Sequence, residues 1–415
     1  MQLASYRISE KIGTEELATS PDAAWARFGD ELLIYSDKAQ PEKLGLPQER
    51  SAGQVSERQL PLRREELYVV VQNGRMFQKE HPEVPVLLDK GRYLLTHLDP
   101  QEADQLKDSS PTCYGLFQLQ ENQVVFDVRD SAAARVARVD WIQERVNRVE
   151  RASFESFLTS LVAFQTRQSL SAGFKQAVSW AREQLKNMGY TVTVKSISVN
   201  GSPSRNIVAD KKGLGTGPRK VVVITAHLDS INIAGGPAAA APGADDNGSG
   251  SAGALEMARV FSDHPSKHDM RFILFGGEEQ GLFGSKQYVA SLSPTEKQRI
   301  LSVLNMDMIG SLNAPTRSVM LEGAPLSQTL IDSLSEAAAT YTELRVETSL
   351  NPFASDHVPF INANIPAVLT IEGADSTNGN IHSAGDTLNH IDFDFALEIL
   401  RMNVAFAAGE MGINS

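Results

Sequence analysis

A chain of 415 residues is too long for one ordinary hydrophobic core and implies about two domains. Its 41% hydrophobic and 22% charged content suits a soluble globular protein, and no run approaches the roughly 20 apolar residues of a membrane span. The net charge of −12, with no basic stripe, argues against nucleic acid as a partner. Cys113 is the only cysteine, which excludes an intrachain disulfide and a cysteine-ligated zinc site. Residues 1–16 lack the apolar core of a signal peptide, so the expectation is either a cytosolic protein or a numbering that starts after a removed signal.

Residues 1–145 read as a smaller β-rich or α+β N-terminal domain. Short strand-like runs fall at 31–35, 66–72, 84–88, 92–95, 115–119 and 123–128, separated by turn pairs such as Asn73-Gly74 and Lys90-Gly91. The segment 100–106 suits a short helix, and 40–61, with its prolines, an exposed loop. His81 and His97 are isolated and read as ordinary surface or half-buried histidines. Residues 132–148 read as a charged bridging helix with Val136, Val139, Ile142 and Val146 on one stripe.

From 146 to 415 helices alternate with apolar strands. Helices are expected at 154–164, 173–188, 251–261, 284–292, 326–341 and 393–411, and strands at 190–199, 206–209, 221–225, 271–275, 302–304 and 367–371. Gly189 is placed to end the second helix. The alternation predicts an α/β domain of three layers, a mostly parallel central sheet flanked by helices.

Ligand sites in such folds form beyond the carboxyl ends of the strands. Four strand ends here release metal-type residues. The first gives His227 and Asp229, then Asp245 and Asp246. The second runs through Gly276-Gly277 into Glu278 and Glu279. The third gives Asp307, and the fourth leads to His382 and Asp386. Each piece alone has a bland reading: a turn histidine, a helix cap, acids at a helix start. Four such pieces at strand ends are harder to dismiss. Two histidines with three or more carboxylates and no cysteine suit catalytic zinc or a similar divalent ion.

The motifs AHLDS (226–230), PGADDNGSG (242–250), GEEQGLFGS (277–285), NMDMIG (305–310), SDH (355–357) and IHSAGDTL (381–388) resemble those of the M28 zinc aminopeptidases of the bacterial leucyl aminopeptidase type, in that family's order. The resemblance covers residues 150–410 and leaves the N-terminal third unassigned. It implies two Zn2+ ions, other divalent ions being possible, with His227 and Asp307 on one, Glu279 and His382 on the other, and Asp245 bridging them. Asp246 is not a ligand by this reading. Glu278 is implied as general acid/base on a metal-bridged water, and Asp229 as the group that orients His227. Adjacent Glu278 and Glu279 point different ways in an extended segment, so one can ligate while the other faces substrate. Met308, Ile381, Phe353 and Phe360 are candidates for the wall of a pocket for an apolar N-terminal side chain. Ordinary core is the alternative reading for Met308 and both phenylalanines, and for Phe360 the two readings are even. No tyrosine follows Tyr341, so the oxyanion donor expected near SDH would be a backbone N–H or Ser355.

The implied activity is removal of N-terminal residues from peptides with a free amino terminus. A carboxypeptidase or dipeptidase, a glutaminyl cyclase, and a receptor-like module without catalysis are the alternatives on this scaffold. The resemblance implies a secreted or periplasmic protein. The N-terminal domain is read as a prodomain, a lid or a structural module, and oligomeric state is left open.

Overall fold

The structure, a computed structural model, describes residues 2–7, 24–36, 63–107 and 114–414. The expected 40–61 loop and Cys113 lie outside the described residues. The chain forms two compact units. The first is Met1–Asp130 with Glu347–Phe353 and Ala374–Gly379, and the second is Ser131–Val346, Ala354–Gly373 and Asn380–Ser415. The division therefore falls earlier than residue 145 and is not contiguous, because two late segments join the first unit. Among the described residues no helix is long and apolar enough to cross a membrane.

The first unit contains strands β1 (Gln2–Arg7), β2 (Ala24–Phe28), β3 (Glu31–Ser36), β4 (Leu67–Gln72), β5 (Val86–Lys90), β6 (Tyr93–His97), β7 (Tyr114–Gln118) and β8 (Gln123–Val128). Two short helices, α1 (Met76–Glu80) and α2 (Pro100–Leu106), accompany them. One antiparallel sheet has the order β5-β6-β4-β7. Tyr68, Val70 and Leu94 from its strands pack with Phe77 of α1 and Ala103 of α2, which gives this unit its own core. Asp99 caps α2 by accepting from Gln101 N at 2.8 Å.

A buried ion pair ties the late segment 374–379 into this unit: Arg92 Nη1 lies 2.9 Å from Asp375 Oδ2, with both side chains under 5% exposed. Ser376 Oγ donates to Gln72 O at 3.0 Å. Removing one partner of such a pair leaves the other charge buried, at a cost of about 3–5 kcal/mol. Arg92→Met is expected to lose stability in that range, read as a lowered urea midpoint. An unchanged midpoint would show that Asp375 finds other compensation.

The second unit begins with α3 (Ser131–Ala134), α4 (Asp140–Val146), α5 (Arg151–Val162) and α6 (Ala172–Asn187). The single helix expected over 132–148 is thus two short ones. Between them the backbone bonds outward instead of to itself: Val136 N donates to Thr340 Oγ1 at 3.2 Å and Val139 N to Tyr341 Oη at 3.1 Å. Val136 and Val139 are exposed, so the expected stripe does not form. Helix α6 ends as expected, with Gly189 at φ +86°.

Strands β9 (Thr191–Val199), β10 (Ser202–Lys211), β11 (Val221–His227), β12 (Asp269–Phe275), β13 (Ile300–Met306), β14 (Ser318–Glu322) and β16 (Ala367–Glu372) make the sheet, in the order β14-β16-β13-β11-β12-β10-β9. β15 (Arg345–Ser349) passes into the first unit, where Glu347 and Thr348 pair with Val128 and Asp127 of β8. The four central strands β16, β13, β11 and β12 are parallel. β10 and β14 run antiparallel beside them. β11 is buried at every position, as a β-branched run covered on both faces must be.

Side chains alternate between the two layers. Val222, Ile224 and Ala226 face a core shared with α5, α6, α7 (Gly250–Val260) and two later helices, α10 (Gln328–Tyr341) and α12 (Phe393–Met411). Val221 and Val223 face a smaller core with α8 (Phe283–Ser291) and α11 (His357–Asn362). Asp392 caps α12 by accepting from Phe395 N at 2.9 Å. The short α9 (Pro294–Arg299) opens on a Ser293–Glu296 capping box.

Candidate active site

The carboxyl ends of the four parallel strands deliver the predicted residues to one buried place. β11 ends at His227, β13 stops one residue short of Asp307, and β16 leads toward His382. After β12 the chain must turn at Gly277, whose φ is +71° and where a Cβ would lie 2.6 Å from Val199 Cγ2. That turn presents Glu278 and Glu279.

Asp229 holds this turn. Its Oδ2 accepts from Gly277 N at 3.1 Å and from Ser169 Oγ at 2.9 Å, and its Oδ1 from Glu278 N at 3.4 Å. The imidazole of His227 sits beside it, Nδ1 being 3.1 Å from the Asp229 carbonyl oxygen and 3.6 Å from Oδ1. Asp229 therefore orients the imidazole largely through its backbone, and its carboxylate fixes the backbone that carries Glu278.

The aspartate between the histidines is Asp246, and this corrects the expectation for Asp245. Asp246 Oδ1 lies 3.3 Å from His227 Nε2 and its Oδ2 lies 3.0 Å from His382 Nε2. Asp245 is directed elsewhere. Its Oδ1 accepts from Gly310 N at 2.9 Å, and its carboxyl group hydrogen-bonds with Glu372. Successive side chains diverge, so only one of the pair can reach the imidazoles.

Around Asp246 the remaining groups fall into place. Asp307 Oδ1 is 3.1 Å and Glu278 Oε2 3.8 Å from His227 Nε2. Glu279 Oε2 is 3.1 Å from His382 Nε2. Asp307 Oδ2 accepts from Ser355 Oγ at 2.7 Å, and Ser355 Oγ in turn accepts from Asn305 Nδ2 at 2.8 Å. Ser355 is thus engaged in placing a site carboxylate, which removes it as the expected oxyanion donor.

Of the four pocket candidates, Met308 and Ile381 adjoin Asp307 and His382 in the chain and are 4% and 9% exposed. Met308 adopts a left-handed backbone, φ +54°, as does His382 at +56°. Phe360 is not a pocket residue. It is fully buried in the smaller core, its ring 5.9 Å from that of Tyr288 and 6.4 Å from that of Phe275. Phe353 belongs to the first unit, where its ring packs on Gly115.

The electrostatics are those of a site built for cations. Burial opposes charge on His227 and His382, yet Asp307 and Glu278 beside the first, and Glu279 and Asp246 beside the second, hold both well above the usual histidine pKa. Burial acts against ionised Asp246 as well, but both imidazoles pull its carboxyl far down. Burial raises Glu278 well above the carboxylate range and lifts Glu279 to about 7, with Asp246 adding repulsion. Four carboxyl groups and two imidazoles are crowded into one buried cluster, and a divalent cation would neutralise it. Two sets of side chains, His227 with Glu278 and Asp307, and His227 with Asp246 and Glu279, offer ligand atoms within 4.8 Å of one another. Glu279 Oε1 and His382 Nδ1 are buried without a hydrogen-bond partner among the described residues. This all-N/O donor set fits zinc or a similar ion.

Sequence reasoning passed over Arg167, which is fully buried, and Glu372, whose carboxyl group receives Ser311 N at 2.5 Å. Neither sits in a pattern that spacing could reveal. Asp386 was visible as a strand-end acid but had no assigned role; its two oxygens accept from Asp245 N and Asp246 N, both at 2.9 Å.

Fold and site together define an α/β protein with a histidine–carboxylate cluster at the carboxyl edge of its parallel strands. Residues 206–407 match the model of peptidase family M28. Leupeptin-inactivating enzyme 1 of Streptomyces exfoliatus is 34% identical over 264 residues, 58% of this chain and 56% of the relative. Aminopeptidase YwaD of Bacillus subtilis is 34% identical over 202 residues, 48% of this chain and 43% of the relative. The chain thus spans about half the length of these two relatives. A zinc aminopeptidase structure from Bacillus subtilis superposes with a TM-score of 0.55 at 20% identity, covering 63% of this chain and 95% of that one, which shows a shared fold.

Proposed function

We propose that this chain is a two-zinc aminopeptidase that removes N-terminal residues from peptides with a free amino group. The observation that carries the reading is the Asp246 carboxylate, one oxygen toward each of two histidines. His227 and Asp307 would hold one ion, Glu279 and His382 the other, and Asp246 would be shared. Bound there, zinc would supply Lewis acidity and a lowered pKa for the attacking water. Glu278 takes the proton from that water and passes it to the leaving amine. Its burial and raised proton affinity suit a group that must hold a proton between these two transfers. Met308 and Ile381, next to Asp307 and His382 in the chain and almost fully buried, are the side chains that would favour apolar N-terminal residues.

The test is hydrolysis of Leu-p-nitroanilide, compared with its N-acetylated form and with a C-terminal reporter peptide. Expected results are cleavage of the free-amine substrate alone, loss on EDTA treatment and recovery with zinc. Activity that survives exhaustive chelation, or cleavage of the acetylated substrate at an equal rate, would overturn the reading.

A further inference from the structure

A shared ligand works only if its backbone cannot drift between the two positions it must serve. Asp246 sits in the π-helical turn Ala244–Ser249 between β11 and α7, where it and Asn247 leave helical φ/ψ. The side chains of Arg167 and Asp386 bond the backbone around it.

Arg167 spends its guanidinium on backbone carbonyls. Nε donates to Leu228 O at 2.8 Å, Nη1 to Leu161 O at 3.1 Å and also to Pro242 O, and Nη2 to Gly243 O at 2.8 Å. One fork therefore joins the residue between His227 and Asp229 to the two residues that open the Asp246 segment. The fit is close. Gly243 has φ +54°, and a Cβ there would lie 2.5 Å from Asp246 O and 3.0 Å from Arg167 Nη2. Burial lowers the Arg167 pKa to about 10, so the group stays charged at neutral pH, with Asp386 the first of the acids that sustain the charge.

Asp386 takes the other polarity of the same backbone. Its oxygens accept from Asp245 N and Asp246 N at 2.9 Å each, and its own carbonyl accepts from Ala244 N at 3.2 Å. The carbonyls of 242–243 are thus held by a guanidinium and the amides of 245–246 by the two oxygens of one carboxyl group.

We propose that Arg167 and Asp386 are positioning residues that act as one clamp, fixing the Asp246 carboxylate between the two imidazoles and so setting the affinity of both metal positions together. This rests on the reading of Asp246 as the shared ligand. Lysine cannot replace Arg167, because a single ammonium cannot span four carbonyls of fixed geometry.

The experiment measures zinc retention by chelator competition, with kcat and KM alongside, in the wild type, Arg167→Met, Arg167→Lys, Asp386→Asn and His382→Ala. Loss of a partner behind a ligand typically costs 10–100-fold in metal affinity or activity. Arg167→Met and Asp386→Asn are expected to weaken both ions by about that factor, with kcat falling more than KM. Arg167→Lys is expected to give no rescue, and His382→Ala to release one ion preferentially. Asp386→Asn is isosteric and carries the test if Arg167→Met does not fold. Wild-type retention of both ions in Asp386→Asn, or full rescue by lysine, would overturn the clamp alone. A wild type that binds two zinc ions without cleaving peptides would overturn the proposed function and leave the clamp standing. A wild type that binds no zinc would overturn both.

Discussion

Glu278→Gln is expected to keep its zinc and lose about 10²–10⁴-fold in kcat, the usual contribution of a positioned acid–base group. The glutamine has the same shape, so the Asp229 bonds to Gly277 N and Glu278 N, which hold the backbone, have no reason to change. What disappears is the ability to accept a proton and return it. KM should move little, because the deleted function belongs to the transition state. Steady-state kinetics with zinc analysis on the same sample separates the outcomes. A kcat close to wild type would remove Glu278 from the chemistry. Loss of zinc would instead make it a ligand alongside His227 and Asp307, a grouping that the atom positions also permit.

The second large effect distinguishes two adjacent aspartates. Asp246→Ala is expected to weaken both metal positions by more than the roughly 100-fold that loss of an outer partner costs, because one carboxylate faces both histidines. Asp245→Ala should keep zinc far better. Burial raises the proton affinity of Asp245 and of Glu372, and Asp245 raises that of Glu372 further, so the two carboxyl groups meet as a pair that can share a proton through their hydrogen bond. Its loss should appear as lower stability in urea. Zinc titration of the two variants decides the matter, and the reverse pattern would return the shared role to Asp245.

Much of this architecture was legible along the chain. The continuous run of β11 marked a central parallel strand, since both of its faces are covered. The helices 172–187, 250–260 and 393–411 announced themselves by their apolar period, and the first also by Gly189 at its end. Among the elements that went unseen were short or unpatterned ones: β14, β15, α9 and the short α11, which begins at His357. The break between α3 and α4 was invisible because its cause lies in Thr340 and Tyr341, some 200 positions away.

The site divides in the same way. Residue types and strand-end positions were enough to gather His227, Glu278, Glu279, Asp307 and His382, because a parallel sheet sends all its carboxyl ends to one edge. They were not enough to choose between Asp245 and Asp246. That choice depends on the backbone path after Gly243, which is set by a hydrogen bond to Gly243 O from Arg167, 76 residues earlier, and one from Asp246 N to Asp386, 140 residues beyond Asp246. Phe360 likewise lay near a motif yet points into the core between sheet and helices. Local pattern determines which elements form and which chemistry they carry. The direction of a particular carboxylate or ring is decided by contacts made only after distant segments meet, and spacing within one segment holds no record of them.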